Sequence, residues 1–420
     1  MLQQRSLADR LAAIRAGHAP AVASRPALPD RAESLARWFS ARLAVAEGGA
    51  AVVVERGVAL SPPVAARLAT LPPASYFDTE TTGLSTGAGT VVFLSGTGWL
   101  DGSRLVVRQL LLPDYPHERA LLRLLGAHLA ERPRLVTYNG RGFDMPLLIA
   151  RLTVNGLFRE QAALPERHDD LLPVARRLFR RPLGGARLAD VETGVLGVHR
   201  ASDCPGSEVP MRYFGYLRGG SPDLLAEVLD HNLQDIVSLA LLESEVLRLR
   251  AGGWRDATVL DRRGMAVELM RDGAVDDALA LLEEASFSVS DPGEVTSLRR
   301  LATRLMLAAG ELDRAEALWT AGTRRASLDA AAAWIEVARI RERHRGDLQG
   351  ALEAAAAASR VLDLAFALGR GGSLAEVGRI RLRVESRLRR LRTWTQAAER
   401  RRARATRRAE PQLKVAAGSR

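Results

Sequence analysis

The chain has 420 residues, 47% of them apolar and 26% charged, which is ordinary for a soluble globular protein and long enough for two or three domains. No apolar run approaches the roughly 18 residues of a membrane helix, and the single cysteine, Cys204, excludes an internal disulfide and a cysteine-based zinc cluster. The net charge of +11 is concentrated at one end: residues 379–420 hold fourteen Arg and Lys414 against Glu385, Glu399 and Glu410, so the remainder is about neutral.

The opening, "MLQQRSLADRLAAIRAGHAP", is polar and helix-like with no signal-peptide core, and a cytoplasmic protein is the expectation. Residues 1–70 read as helical pieces broken by Pro-rich joints ("ASRPALPD", "LSPP", "TLPPAS"), with a short apolar run at Ala51–Val54. From about residue 75 the pattern turns to strands: "SYFDTE", then 90–100 and 104–113, the last two joined by Asp101-Gly102-Ser103, which suits a tight hairpin. Leucines at 121, 122, 124, 125 and 129 give helical spacing over 117–133. "RLVTYNG" (134–140) follows as a buried strand, and Asp144, with Pro146 behind it, opens a further helix. A Gly/Pro-rich excursion (183–222) and a long helix ending near 250 complete a mixed α/β domain placed at 71–250.

The last third differs in kind. Gly273-Ala-Val-Asp-Asp-Ala278, Gly310-Glu-Leu-Asp-Arg-Ala315 and Gly346-Asp-Leu-Gln-Gly-Ala351 can be laid over one another, each followed after seven residues by Ala285, Gly322 or Ala358. Each glycine is expected to close one helix, and each alanine to let the next pack closely. The pattern resembles tetratricopeptide-type helical hairpins over 251–370, a module that would offer a surface to a protein partner; a generic Ala-rich helical bundle is the alternative reading. Residues 371–420 remain as an Arg-rich helical or disordered tail whose charge fits nucleic-acid phosphates.

Three segments carry the chemistry. In "YFDTETTGL", strand alternation sends Asp78 and Glu80 to one face. Two carboxylates that close repel unless a cation lies between them, and a hard divalent ion prefers such oxygens. In "YNGRGFDMPLL", a strand ends at Asn139 and Asp144 opens a helix; an N-cap accounts for Asp144 by itself, whereas the C-terminal edge of a strand is also where open α/β sheets place ligands. In "DHNLQDIVSLALL", His231 and Asp235 lie four apart on one helical face. "ERHDDLL" puts His168, Asp169 and Asp170 before a helix as N-cap and first-turn acids, and Asp203 reads as a turn residue.

In that order the segments resemble the DEDD exonuclease superfamily, with "DTETTGL" similar to its first motif and "NGRGFD" to its second. More narrowly, residues 75–245, including "LGVHRASDCPGSEVP" and "HNLQDIVSLALL", look like the YprB-like ribonuclease H-like domain. The resemblance implies an α/β ribonuclease H-like fold with a β-β-β-α-β start, followed here by the all-α tetratricopeptide-like domain. It further implies 3′→5′ exonuclease activity by a two-metal mechanism with Mg²⁺ or Mn²⁺. Asp78, Glu80, Asp144 and Asp235 would be metal ligands and His231 the general base. Thr82, Asn139 and Arg141, in the motif loops, would be the candidates for contact with a single-stranded 3′ end of DNA or RNA. One departure stands out: His231 precedes Asp235 by four, the spacing at which the superfamily usually carries tyrosine, histidine usually coming five before. The alternative is an inactive ribonuclease H-like scaffold that works through its helical repeats.

Overall fold

A computed structural model describes residues 30–83, 89–200, 204–288, 291–323, 326–370 and 372–416. The N-terminal piece 1–29, Leu84 at the end of the first motif, and Asp203 lie outside the described residues. The chain divides into two compact units, Met1–Asp261 and Arg262–Arg420.

In the first unit, helix α1 (Asp30–Trp38) leads into strands β1 (Arg42–Ala46) and β2 (Gly49–Ala59), then helix α2 (Pro62–Leu68). The expectation of helical pieces with Pro-rich joints up to residue 70 is thus corrected over 42–59, where strands stand. "RLAVA" and "GAAVVVERGVA" pair as an antiparallel hairpin, and β2 pairs onward with β5 (Arg104–Leu111) from Val52↔Leu111 to Ala59↔Arg104. Alanine and glycine dilute the β-branched signal of these strands. Tertiary pairing overrides that weak local preference, and Ala51 and Val52 end up fully buried.

Strands β3 (Ala74–Thr81), β4 (Val92–Asp101) and β5 form the expected meander, β4 and β5 turning at Gly102 with φ 58°. Helix α3 (Glu118–Leu129) then leads to β6 (Arg134–Thr137), parallel to β3. Helices α4 (Asp144–Val154) and α5 (Phe158–Ala162) precede β7 (Arg167–Asp170), which is parallel to β6. The sheet order is β1-β2-β5-β4-β3-β6-β7. "RHDD" therefore forms a short edge strand, where helix-capping acids had been expected; helix α6 (Leu172–Leu183) follows it. Helices α7 (Val209–Leu217) and α8 (Ala226–Arg250) close the unit.

Strand alternation decides which helix covers which face. Asp78, Gly96 and Gln109 are direct cross-strand neighbours in one row. On that face Gln109 Nε2 donates to Leu229 O at 2.7 Å and Asn232 Oδ1 at 3.0 Å, so α8 lies over it. Residues of opposite parity face α3: His128 sits edge-on to Trp99 and within 3.0 Å of Arg108. The unit also continues past the expected boundary at 250. Trp254 is buried, and Asp261 N donates to Leu178 O at 2.7 Å.

The second unit is helical throughout its described residues: Arg262–Arg271, Val275–Ser288, Pro292–Ala308, Leu312–Thr320, Leu328–Ile340, Leu348–Ala367 and Leu374–Ala416. Gly273, Gly310 and Gly346 follow the first, third and fifth of these in left-handed conformations (φ 80°, 78° and 67°), which only glycine adopts freely. Ala278, Ala315 and Ala351 are fully buried in the succeeding helices. Among the described residues, no helix is long and apolar enough to cross a membrane.

Candidate active site

Strand β3 delivers Asp78 and Glu80 to the α8 face, as period-two alternation requires. Thr79, between them, points the other way and donates its hydroxyl to Asp144 Oδ1 at the start of α4. Asp144 is buried, and its oxygen turns toward β3 instead of capping its own helix. Helix α8 presents two adjacent stripes. Asn232, Ile236, Leu239 and Glu243 face the sheet, all nearly or fully buried. His231, Asp235 and Ser238 form the neighbouring stripe, with Asp235 and Ser238 turned toward the segment that contains Glu192 and Arg200. The spacings of three and four that build both stripes are those of one helical turn.

Asn232 is the joint between the motifs. Its Nδ2 donates to Asp78 Oδ2 at 3.0 Å, and its Oδ1 accepts from Gln109. Glycine at position 96 makes room, since a Cβ there would run into the Asn232 amide; at Gly98 it would strike Ile236. One atom from each of Glu80, His231 and Asp235 lies within 4.8 Å of the others, so the ring stands in the same small cluster as the two carboxylates.

The electrostatics follow from this crowding. Burial pushes Asp78 well above the usual carboxylate range, and the charges of Asp235, Asp144 and Glu80 push it further. Glu80 rises to about 8 through burial and the same neighbours Asp235 and Asp144, against the pull of Arg200. Burial lifts Asp144 to about 6, opposed by the Thr79 hydroxyl. Asp235 is raised by burial although His231 and Arg200 both favour its charge. Carboxylates from three separated segments therefore bear on Asp78 and Glu80. Such an oxygen-rich donor set, short of positive charge, fits hard divalent cations.

The candidate substrate contacts are engaged elsewhere in this structure. Thr82 Oγ1 accepts from Val91 N at 2.9 Å. Arg141 donates to the His168 carbonyl. Asn139 takes a left-handed φ of 64°, and its N–H donates to Asp170 Oδ1 at 2.8 Å. Asp170 thus ties the second motif loop, also accepting from Arg141 N at 3.2 Å and Leu172 N at 3.0 Å. His168 Nε2 lies 2.7 Å from Thr137 Oγ1.

Sequence reasoning missed Asn232 and two further residues of the cluster. Arg200 binds Glu192 through Nε (2.7 Å) and Nη2 (2.9 Å), reaches Asp235 Oδ1 with Nη2, and sets Nη1 2.9 Å from His231 Nδ1. Glu192, 1% exposed, also accepts from Ser238 Oγ at 2.6 Å. A glutamate eight residues before an arginine, in a segment that reads as a loop, carries no local signal; only the fold brings the pair to α8.

Residues 75–247 match the family model described as the RNase_H superfamily. A protein of Bacillus subtilis (strain 168) described as uncharacterized protein YprB is 43% identical over 169 residues. That stretch is 40% of this chain and 40% of the relative, so the match spans two-fifths of the relative's length. Among solved structures, the family B DNA polymerase from the hyperthermophilic archaeon Pyrobaculum calidifontis aligns at 18% identity with a TM-score of 0.34, over 48% of this chain and 29% of that one.

Proposed function

We propose that the RNase H superfamily domain at residues 75–247 is a metal-dependent 3′→5′ exonuclease that hydrolyses phosphodiester bonds of single-stranded nucleic acid. The observation that carries this reading is the crowding of Asp78 and Glu80 by Asp144 and Asp235: burial raises all four in pKa, and the charges of Asp235 and Asp144 raise Asp78 and Glu80 further. A protein keeps so much unneutralised acid together at a cost to stability, which a cation-dependent chemistry would explain. Divalent ions bound there, Mg²⁺ or Mn²⁺, would supply the charge that activates water and eases departure of the 3′ oxygen. The chain's own residues do the positioning. Asn232 aims one oxygen of Asp78, Thr79 orients Asp144, and Arg200 holds Asp235 by one oxygen. Thr82, Asn139 and Arg141 border the two motif loops and are the candidate contacts for the terminal nucleotide, in which role Thr82 and Arg141 would exchange their present partners for phosphate.

The test uses the full chain with 5′-end-labelled single strands of DNA and RNA and Mn²⁺, beside Asp78→Ala. Progressive shortening from the 3′ end, lost in the variant, is the expected result. Shortening that persists in Asp78→Ala, or no cleavage by either protein, would overturn the proposal; the second outcome supports the scaffold alternative.

A further inference from the structure

His231 stands where a general base would be sought, yet its ring has little freedom to serve as one. A guanidinium carries only N–H donors and stays charged in proteins. Arg200 Nη1 lies 2.9 Å from His231 Nδ1, so Nδ1 must be the accepting nitrogen. In the neutral ring the proton then sits on Nε2, which faces Asp235 Oδ2 at 3.6 Å, with Glu80 in the same small cluster. Arg200 is itself fixed by its two-nitrogen grip on the Glu192 carboxylate, which Ser238 Oγ secures from the other side. The chain of constraint runs from buried Glu192 through Arg200 to the histidine ring and to Asp235 Oδ1.

We propose that Arg200 is a positioning residue that fixes His231 as its Nε2–H tautomer, so that the ring turns an N–H toward the carboxylate cluster and does not accept a proton from water. This deepens the nuclease reading, because it leaves water activation to the cations that the carboxylates would hold and assigns the histidine the donor role that a tyrosine hydroxyl at the same helical spacing could fill. Glu192 and Arg200 join the site as an ion pair anchored by the buried glutamate, and its purpose is orientation: the pair fixes both the ring and one oxygen of Asp235.

The measurement reads the ring proton directly and does not depend on whether the protein cleaves anything. The full chain, labelled with ¹⁵N-histidine and stripped of metal by a chelator, is examined at neutral pH by long-range ¹H–¹⁵N correlation. Loss of one set of signals in His231→Gln identifies His231. The expected wild-type pattern has the proton on Nε2 and an unprotonated Nδ1. Arg200→Met should shift the population toward the Nδ1–H tautomer or a mixture, and Arg200→Lys, which again offers only donors, should restore the Nε2–H form. Should Arg200→Met fail to fold because it strands Glu192, the double variant Arg200→Met/Glu192→Gln removes that charge and serves in its place. A wild-type ring protonated on Nδ1 or on both nitrogens would overturn the proposal. So would a wild-type pattern that survives the loss of Arg200.

Discussion

Burial and the charges of Asp235 and Asp144 push the Glu80 carboxyl up to about 8, and burial lifts that of Asp144 to about 6. In the unfolded chain both ionise at ordinary carboxylate pH. Between that range and pH 8 the folded state therefore holds more protons than the unfolded state, and the metal-free protein loses stability as pH rises. Thermal melts of chelator-treated protein should show Tm falling from pH 5 to pH 8, each kcal/mol lost lowering it by roughly 2–4 °C. Manganese should reverse the trend, since cations compete with those same protons and the gap between metal-bound and metal-free Tm should widen with pH. A metal-free Tm that is flat or rising across this interval would show that the four acids do not share a pocket. At this scale much was legible: Asp78, Glu80, Asp144, His231 and Asp235 each lay in a segment with a readable pattern. Asn232 and Gln109 were not, since an amide in a helix or strand has no motif of its own, and its meaning lies in the neighbour it meets across the fold.

Among the elements, β4 and α8 make the closest approach that the site depends on. Strand β4 offers bare backbone at Gly96 and Gly98, beneath Asn232 and Ile236. Overpacking such a contact costs typically about 1–3 kcal/mol, so Gly96→Ala should destabilise the first unit by that amount in urea melts. It should also lift α8 away from the sheet and weaken Mn²⁺ binding, although residue 96 contributes no ligand atom. Unaltered Mn²⁺ affinity in a folded Gly96→Ala variant would count against the role given to this approach. The elements themselves show where local pattern suffices. The β3–β4–β5 meander, α3, β6 and α8 follow from alternation, turn chemistry and leucine spacing. The β1–β2 hairpin and the four-residue β7 do not, because alanine-rich or charged strands acquire their conformation from pairing with β5 and β6.

At the scale of the whole molecule, the two units are built on different principles. The first is closed by long-range pairings, such as Arg134 with Glu243 and Tyr76 with Glu243 (2.7 Å). The second is a succession of helices whose buried alanines and left-handed glycines recur. Because Trp254 and the bond from Asp261 to Leu178 belong to the first unit, a chain ended after Asp261 should unfold in one cooperative transition with its Mn²⁺ binding intact, as followed by calorimetry. A chain ended at residue 250 should be less stable, having lost the Trp254 packing. Equal stability of the two truncations would show that residues 251–261 are not part of the unit's core. The shared period of the three helical segments was visible in the sequence, while the eleven-residue extension beyond 250 was not, since it consists mostly of irregular chain.

Helix α8 is fastened to β3 at two places, by Asn232 to Asp78 and by Glu243 to Tyr76, with Arg134 also holding Glu243. The number of residues between those fastenings is consequently a measured length. One residue added or removed there would rotate everything beyond it by about 100°, and no side-chain substitution could compensate. The chain has room to grow or shrink at turns such as Gly102–Ser103, and none between positions 232 and 243.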